Sequence, residues 1–234
     1  MRSEDLSKTL DHIVLSPGTT REDIERACVR AREFHVAALS ASPRYTRLIA
    51  GRLRGTDVKT CAVIGALGGA DGPHADIVRA ERAVCDGAEE LDVLMNLAAM
   101  RAGEFGAARE QLVQLVRAVR TRAANDARGT VIVKAIIEAP LLDEAHVRLA
   151  CKIVADAGAD FAMTCSSVGT QVSVDDVELM RESLPEHVGV TASGAVTTVS
   201  DVQAMISAGA ARIGTACAVD VLEQLRATSG RSQS

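Results

Sequence analysis

The chain has 234 residues, 47% of them hydrophobic and 24% charged, and this length and balance favour one domain with a large core. The formal net charge is -5 at pH 7 and no basic stretch is interleaved with aromatic residues, so no nucleic-acid partner is expected. No apolar segment approaches the roughly 18 residues of a membrane span, and the N-terminus lacks a signal-peptide core, so we expect no membrane association and a cytoplasmic location.

The composition indicates an aliphatic core. The chain has one Tyr, three Phe and no Trp, so Ala, Val, Leu and Ile must fill the interior, as is typical of helices packed on a parallel sheet. Six cysteines are scattered without a CxxC pair or a His at ligand spacing, which predicts neither a metal site nor a disulfide framework. No nucleotide-binding motif is present, so the sequence predicts no cofactor.

Strand and helix patterns alternate from one end of the chain to the other. Short segments rich in Val and Ile are followed by helical patterns of about ten to fifteen residues, which indicates repeated β-α units. Eight strands are predicted: Leu10–Val14, Ala37–Ser40, Val58–Ile64, Glu90–Met95, Val131–Glu138, Asp160–Thr164, Val188–Ser193 and Arg212–Thr215.

Helix boundaries support this division. Thr20, Asp143 and Ser200 are predicted to cap helix N-termini, and Gly158 and Gly209 to close helices at their C-termini. Eight such units in this length predict an α/β fold, a closed (β/α)8 TIM barrel forming a single domain over residues 1–234. In such barrels the active site lies at the C-terminal ends of the strands, so inward-facing residues there are the candidates.

Several motifs occur in a fixed order along nearly the whole chain. They are LDHIVL, a Pro43 turn after the second strand, KTCAVIGALGG, GAEELDVLMN, VIVKAIIEA, GADFAMTCSS, GVTASGA and RIGTACA. In this order they resemble the deoxyribose-phosphate aldolase family, and the resemblance implies a class I aldolase-like barrel.

The resemblance also implies that two catalytic lysines are missing. The family's Schiff-base lysine on strand six corresponds to Met163, and a second lysine on strand seven, which lowers the pKa of the first by like-charge repulsion, corresponds to Thr191. The family's usual cysteine at the end of strand two corresponds to Ser40. A thioether cannot condense with a carbonyl, so the family's usual reaction is not expected.

Other family positions are kept. Asp92 matches the catalytic aspartate on strand four, Lys134 the inward lysine on strand five, and Asp11 the acidic residue on strand one. Asp92 and Lys134 lie on adjacent strands, so the alternative to a catalytic pair is a buried ion pair that fills the barrel. Glu138 shares the parity of Lys134 nearer the strand end, and is either functional or a solvated loop residue.

The family's phosphate pocket is also altered. The resemblance places this pocket in the loops after the last three strands, where only Gly194 and Gly214 remain to let backbone N–H groups approach an anion. No full positive charge is present, so a non-phosphorylated substrate is expected; relaxed selection after loss of activity is the alternative. The substituted positions are Ser167, Val168, Ala195, Thr197, Ala216 and Cys217.

The leading hypothesis is an enzyme that performs acid-base chemistry without a Schiff base. Its substrate is a small carbonyl or hydroxylated compound, and the reaction is a lyase, cyclase or dehydratase step of specialised metabolism. Asp92 moves protons and Lys134 orients it or polarises an oxygen. The predicted substrate-binding residues are Asp11, Ser40, Glu138, Met163, Cys165, Thr191, Ser193, Gly194 and Gly214.

Two alternatives remain open. One is a catalytically silent barrel that binds a metabolite or a partner protein. The other is an aldolase whose Schiff-base lysine has moved, and lysine occurs only at Lys8, Lys59, Lys134 and Lys152, of which Lys134 alone is predicted to lie inside the barrel. A homodimer is the default assembly.

Overall fold

The computed structural model describes residues 6–65, 72–126, 129–166 and 171–231 and shows a closed barrel of eight parallel strands in sequence order. Each strand pairs with the next, and β8 closes the barrel against β1. This confirms the predicted (β/α)8 fold. The strands are β1 Leu10–Val14, β2 Ala38–Ala41, β3 Lys59–Ile64, β4 Glu90–Leu94, β5 Ile132–Ile136, β6 Phe161–Met163, β7 Gly189–Ser193 and β8 Arg212–Thr215.

Helices follow the strands and cover the outside of the barrel. They bury an aliphatic face against the outward side chains of the strands, as the composition predicts. In the described part of the chain, no helix is both long and apolar enough to cross a membrane. The helices are α1 Arg21–Phe34, α2 Thr46–Leu53, α3 Pro73–Asp86, α4 Leu97–Arg101, α5 Phe105–Asn125, α6 Glu144–Ala157, α7 Val174–Ser183, α8 Val199–Ser207 and α9 Ala218–Arg231.

Most of the predicted helix ends are confirmed. Thr20 and Asp143 are N-caps whose side chains accept backbone hydrogen bonds, and Gly158 is a left-handed C-cap. The predicted cap at Ser200 is wrong, because Thr198 caps α8 and forms a reciprocal capping box with Asp201. The acidic residue three positions after the threonine selects this start.

Two other helix and strand ends differ from the sequence expectation. Gly209, with a φ of 104°, follows the C-cap Ala208 rather than being the cap itself. The fifth strand ends at Ile136, so Glu138 lies outside it, in the left-handed conformation with a φ of 54°. Pro140, two positions after Glu138, lies in a 3-10 turn, Ala139–Leu141, and its ring cannot continue a β ladder.

Candidate active site

Five charged side chains meet inside the barrel. Asp92 and Lys134 are register partners on neighbouring strands, and both side chains point inward. Asp11 comes from β1, Glu90 from the start of β4 and Arg212 from the start of β8. We call Asp11, Glu90, Asp92, Lys134 and Arg212 the charged cluster.

Lys134 lies at the centre of the charged cluster and is completely buried. Its Nζ is 2.7 Å from Glu90 Oε2, 2.9 Å from Asp11 Oδ2 and 3.1 Å from Asp92 Oδ1. Burial by itself lowers the Lys134 pKa, but the surrounding carboxylates together raise it well above its ordinary value. The amine is therefore held as an ammonium ion.

Arg212 completes the charged cluster from the N-terminal end of the barrel. Its guanidinium donates to Asp11 Oδ1 and lies 3.3 Å from Glu90 Oε2. Burial opposes its charge, but these two carboxylates raise its pKa. Three carboxylates thus face two cations, which leaves one unbalanced negative charge. Among the described residues, no three His, Cys, Asp or Glu side chains are arranged to hold a metal ion.

Asp92 also contacts the second strand. Ser40 Oγ donates to Asp92 Oδ2 at 3.0 Å, so the residue at the family's usual cysteine position binds the candidate catalytic carboxylate. Cys61, the register partner of Ser40 on β3, is buried beside this pair. Burial, followed by the charge of Asp92, raises the Cys61 pKa well above its ordinary value, so this thiol stays neutral.

Sequence reasoning missed three of these residues. Glu90 precedes Asp92 by two positions and Arg212 precedes Gly214 by two, so strand parity alone could have placed both inside the barrel. Cys61 could have been found through the same alternation with Val63 on β3. Candidate residues were expected at the C-terminal ends of the strands, whereas Glu90 and Arg212 lie at the N-terminal ends of β4 and β8.

An apolar layer lies at the C-terminal ends of the strands. Ile13, Leu94, Ile136 and Met163 are buried against one another and form a small cluster separate from the main core. We call these four residues the mouth layer. Met163 therefore takes part in apolar packing at the position where the resemblance implies a reactive amine.

Two buried hydroxyl groups lie on β7 near the mouth layer. Thr191 and Ser193 are both fully buried, and neither Thr191 Oγ1 nor Ser193 Oγ has a hydrogen-bond partner among the described residues. Cys165 is engaged, since its Sγ donates to the Ser193 carbonyl at 2.7 Å. Thr164 Oγ1 donates to the same carbonyl at 2.8 Å, which ties the end of β6 to β7.

Glu138 is neither solvated nor part of the charged cluster. It is only 7% exposed. Its Oε1 accepts a hydrogen bond from the Ser166 N–H at 3.1 Å. The alternative of a solvated loop residue is therefore wrong, and the carboxylate fixes the backbone after β6.

The backbone groups expected near an anion are largely engaged within the protein. Gly194 N–H donates to the Gly214 carbonyl at 3.4 Å, and Thr197 N–H donates to Asp201 Oδ2 at 3.1 Å. A Cβ on Gly214 would lie 2.9 Å from Ile13 Cδ1, so side chains already crowd this glycine. The Gly194 N–H is thus already engaged, and the role of Gly194 and Gly214 in binding a ligand stays a prediction. Ser167 and Val168 lie outside the described residues.

Comparison with known proteins places this geometry in a family, although no family model matches the chain. The deoxyribose-phosphate aldolase of Caldanaerobacter subterraneus subsp. tengcongensis is 36% identical over 220 residues, 94% of this chain and 93% of that protein. A deoxyribose phosphate aldolase from Aeropyrum pernix, described as tetrameric, has a TM-score of 0.87 and 30% identity over 97% of this chain and 93% of that chain. The aldolase QR15 has a TM-score of 0.87 and 29% identity over 96% of this chain and 97% of that chain. The chain belongs to the deoxyribose-phosphate aldolase family.

Proposed function

We propose that this family member is an enzyme that transfers protons on a small, uncharged carbonyl or hydroxylated compound without forming a Schiff base. Asp92 is the proton-transfer group, and Lys134 and Ser40 hold it in place. The reaction belongs to the lyase, cyclase or dehydratase type. The observation that carries the proposal is the unbalanced negative charge of the buried charged cluster.

Asp92 is assigned to proton transfer because it contacts fewer cations than the other two carboxylates of the charged cluster. Asp11 and Glu90 each face both cations, whereas Asp92 pairs only with Lys134 among the described residues. A buried excess of negative charge is costly, and the cost falls when one carboxylate takes up a proton. Ser40 can then keep the proton-bearing group oriented through its hydroxyl.

Lys134 supports this reaction as a charge and not as a nucleophile. Its raised pKa keeps it protonated, whereas an amine must lose its proton before it attacks a carbonyl. The other lysines are outside the barrel interior: Lys8 pairs with Asp57, Lys59 pairs with Glu89, and Lys152 lies on α6. A relocated Schiff base is therefore not favoured.

The mouth layer supports an uncharged substrate. Its four side chains are apolar, and the nearby Thr191 and Ser193 offer hydroxyl groups without a formal charge. A substrate reaches Asp92 only if side chains of the mouth layer move aside. Met163 is the member best able to move, because its side chain is unbranched and flexible.

A catalytically silent barrel is the second candidate, and one observation favours it. Asp92, Lys134, Met163 and Thr191 are each buried to within 2% of full burial, so in this conformation they form a packed interior. In that case the charged cluster only specifies the fold, as buried ion networks do in some proteins.

Hydrogen-deuterium exchange into small carbonyl compounds separates the two candidates. We expect the protein in D2O to catalyse exchange at the carbon beside the carbonyl of at least one short aldehyde, ketone or hydroxyketone, measured by proton NMR. Asp92→Asn should abolish this exchange, while Asp156→Asn, a control at an exposed carboxylate on α6, should not. Exchange that survives Asp92→Asn overturns the proposal, and no exchange with any compound favours the silent barrel.

Two further measurements address the family reaction. We expect no cleavage of deoxyribose 5-phosphate, because Met163 cannot supply an amine and the described mouth offers no cation for the phosphate. Borohydride reduction in the presence of aldehydes, followed by peptide mass mapping, should give no adduct on Lys134. A stoichiometric adduct there would establish the relocated aldolase instead.

A further inference from the structure

The two unpartnered hydroxyls on β7 form a pair. Thr191 and Ser193 are two positions apart on one strand, so both side chains lie on the inner face of the barrel. Both are completely buried, and their hydroxyl oxygens have no hydrogen-bond partner among the described residues. Burying a hydroxyl in this way costs free energy because the group gives up its bonds to water.

Other threonine hydroxyls near this pair do have hydrogen-bond partners. Thr164 Oγ1 donates to the Ser193 carbonyl at 2.8 Å and accepts from the Ser193 N–H at 2.8 Å. Thr215 Oγ1 donates to the Val196 carbonyl at 2.6 Å. The threonine hydroxyls next to the ends of β6 and β8 are therefore bonded to backbone groups. The hydroxyls of Thr191 and Ser193, on β7 between these two strands, are not.

The pair adjoins the methyl end of Met163. An ideal Cβ on Gly214 would lie 3.1 Å from Ser193 Oγ and 3.3 Å from Met163 Cε, so both groups surround the space that this glycine leaves. Ile13 Cδ1 lies 2.9 Å from the same point. The Ser193 hydroxyl therefore faces an apolar surface whose most flexible member is the Met163 side chain, and Thr191 is the register partner of Met163 on β7.

We propose that Thr191 and Ser193 bind the oxygen of a short-chain ketone, aldehyde or alcohol whose apolar body takes the place of the Met163 methyl group. The ligand oxygen receives or supplies the hydrogen bonds that the protein leaves unmade, and the hydrocarbon part packs against Ile13. The subsite favours an uncharged ligand over an ionic headgroup because Ile13 and Met163, which share the space at Gly214 with Ser193, are apolar. This inference rests on the proposed function for its use in catalysis, but ligand binding tests it separately.

Measurements of Tm test whether the Thr191 hydroxyl lacks a hydrogen-bond partner inside the protein. Thr191→Val removes one hydroxyl at constant shape, and we expect Tm to rise by about 2–4 °C because an unsatisfied group is lost. Thr46→Val is the matched control, since Thr46 Oγ1 is also buried without a partner among the described residues but lies on α2. Thr215→Val removes a bonded hydroxyl and should lower Tm. If Thr191→Val lowers Tm as much as Thr215→Val does, the proposal is overturned.

Methyl NMR tests the binding itself. The protein is labelled with ¹³C-methyl methionine, the Met163 signal is assigned with Met163→Leu, and the protein is titrated with 2-butanone, with butanoate and with inorganic phosphate. We expect 2-butanone alone to shift the Met163 signal. Affinity should fall about three- to tenfold in Thr191→Val with Ser193→Ala, and stay unchanged in Thr46→Val. Absence of binding, or equal affinity in the double variant, contradicts the subsite.

The outcome separates the subsite from the proposed function. Binding of 2-butanone that depends on Thr191 and Ser193, with no isotope exchange, supports the subsite on a silent barrel. Isotope exchange that depends on Asp92 but is unaffected by the double variant supports the enzyme and overturns the subsite.

Discussion

Lys134 lies closer to Glu90 than to Asp92: its Nζ is 2.7 Å from Glu90 Oε2 and 3.1 Å from Asp92 Oδ1. Glu90 also faces Arg212, so it joins the two buried cations of the barrel. The interior is thus organised as one charged cluster and not as an isolated pair. Removing different members should leave very different net charges behind.

The first prediction compares Lys134→Met with Glu90→Gln. Lys134→Met leaves Arg212 as the one cation of the charged cluster, facing Asp11 and Glu90 while Asp92 loses its ion pair, and should lower the free energy of unfolding by about 3–5 kcal/mol. Glu90→Gln removes a negative charge from a cluster that has one in excess, so its cost should be smaller, about 1–2 kcal/mol. Urea unfolding at pH 7 measures both.

The exposed pair Lys59 and Glu89 is the matched control for this comparison. Its nitrogen and oxygen are 2.6 Å apart, yet the two side chains are 51% and 46% exposed. Lys59→Met and Glu89→Gln should each cost no more than about 1 kcal/mol. If Glu90→Gln proves as harmful as Lys134→Met, charge balance does not govern the cluster.

The barrel could be predicted from the sequence because alternating strand and helix patterns, capped helices and inward parity all indicate the same fold. The closeness of Asp92 and Lys134 followed from adjacent strands. Glu90 and Arg212 were missed because strand parity cannot show which polar side chains will share a cation across the barrel. The mouth layer was missed because it depends on how Met163 and Leu94 meet in three dimensions, not on either strand alone.

Glu138 shows another limit of the sequence. The segment VIVKAIIEA is apolar enough to predict a strand continuing through residue 138, but the ladder stops at Ile136. The following left-handed residue and Pro140 redirect the chain. The positive φ of Glu138 could not be predicted from its residue type, since glycine is the residue that usually adopts this conformation.

The second prediction concerns Met163→Lys. The new amine would be buried against Ile13, Leu94 and Ile136, and burial disfavours its charged form. We expect a loss of about 2–4 kcal/mol at pH 7, whereas Met163→Leu, which keeps the volume apolar, should cost less than about 1.5 kcal/mol. Chemical unfolding measures both variants.

The pH dependence of Met163→Lys checks the cause. If the folded pKa of the new lysine is depressed, the unfolded state binds more protons, so the deficit should shrink as pH rises from 7 to 9. A deficit that is the same at both pH values would mean that the amine is not desolvated in the mouth layer.

The third prediction separates the backbone and side-chain contributions of Glu138. Glu138→Ala and Glu138→Gly both remove the carboxylate that accepts from Ser166 N–H. Glycine adopts the φ of 54° without a Cβ clash, so Glu138→Gly should be more stable than Glu138→Ala by about 1 kcal/mol. A glycine variant less stable than the alanine variant would show that the left-handed conformation carries no strain. Amide exchange at Ser166 should be faster in both variants.

The last prediction concerns the pH dependence that His12 introduces. His12 lies on β1 between α1 and α9, and its Nδ1 is buried without a partner among the described residues. Burial lowers the His12 pKa to about 4, against the opposing charge of Asp220, while Arg30 lowers it further. The folded protein therefore holds this imidazole neutral at pH values where the unfolded chain protonates it.

Because the folded pKa lies below the unfolded value of about 6.5, the unfolded state binds more protons between these two values. The contribution of His12 to stability is present above pH 6.5 and is lost as the pH falls towards 4, by about 3 kcal/mol in total. Carboxylates also titrate in this range, so the comparison must be made with His12→Gln. The difference in unfolding free energy between the original protein and this variant should be nearly constant above pH 6.5 and decrease as the pH falls to 4.5. His187→Gln, at an exposed position, is the control for the substitution itself. A constant difference for His12→Gln would show that the imidazole is protonated in the folded barrel as readily as in the unfolded chain.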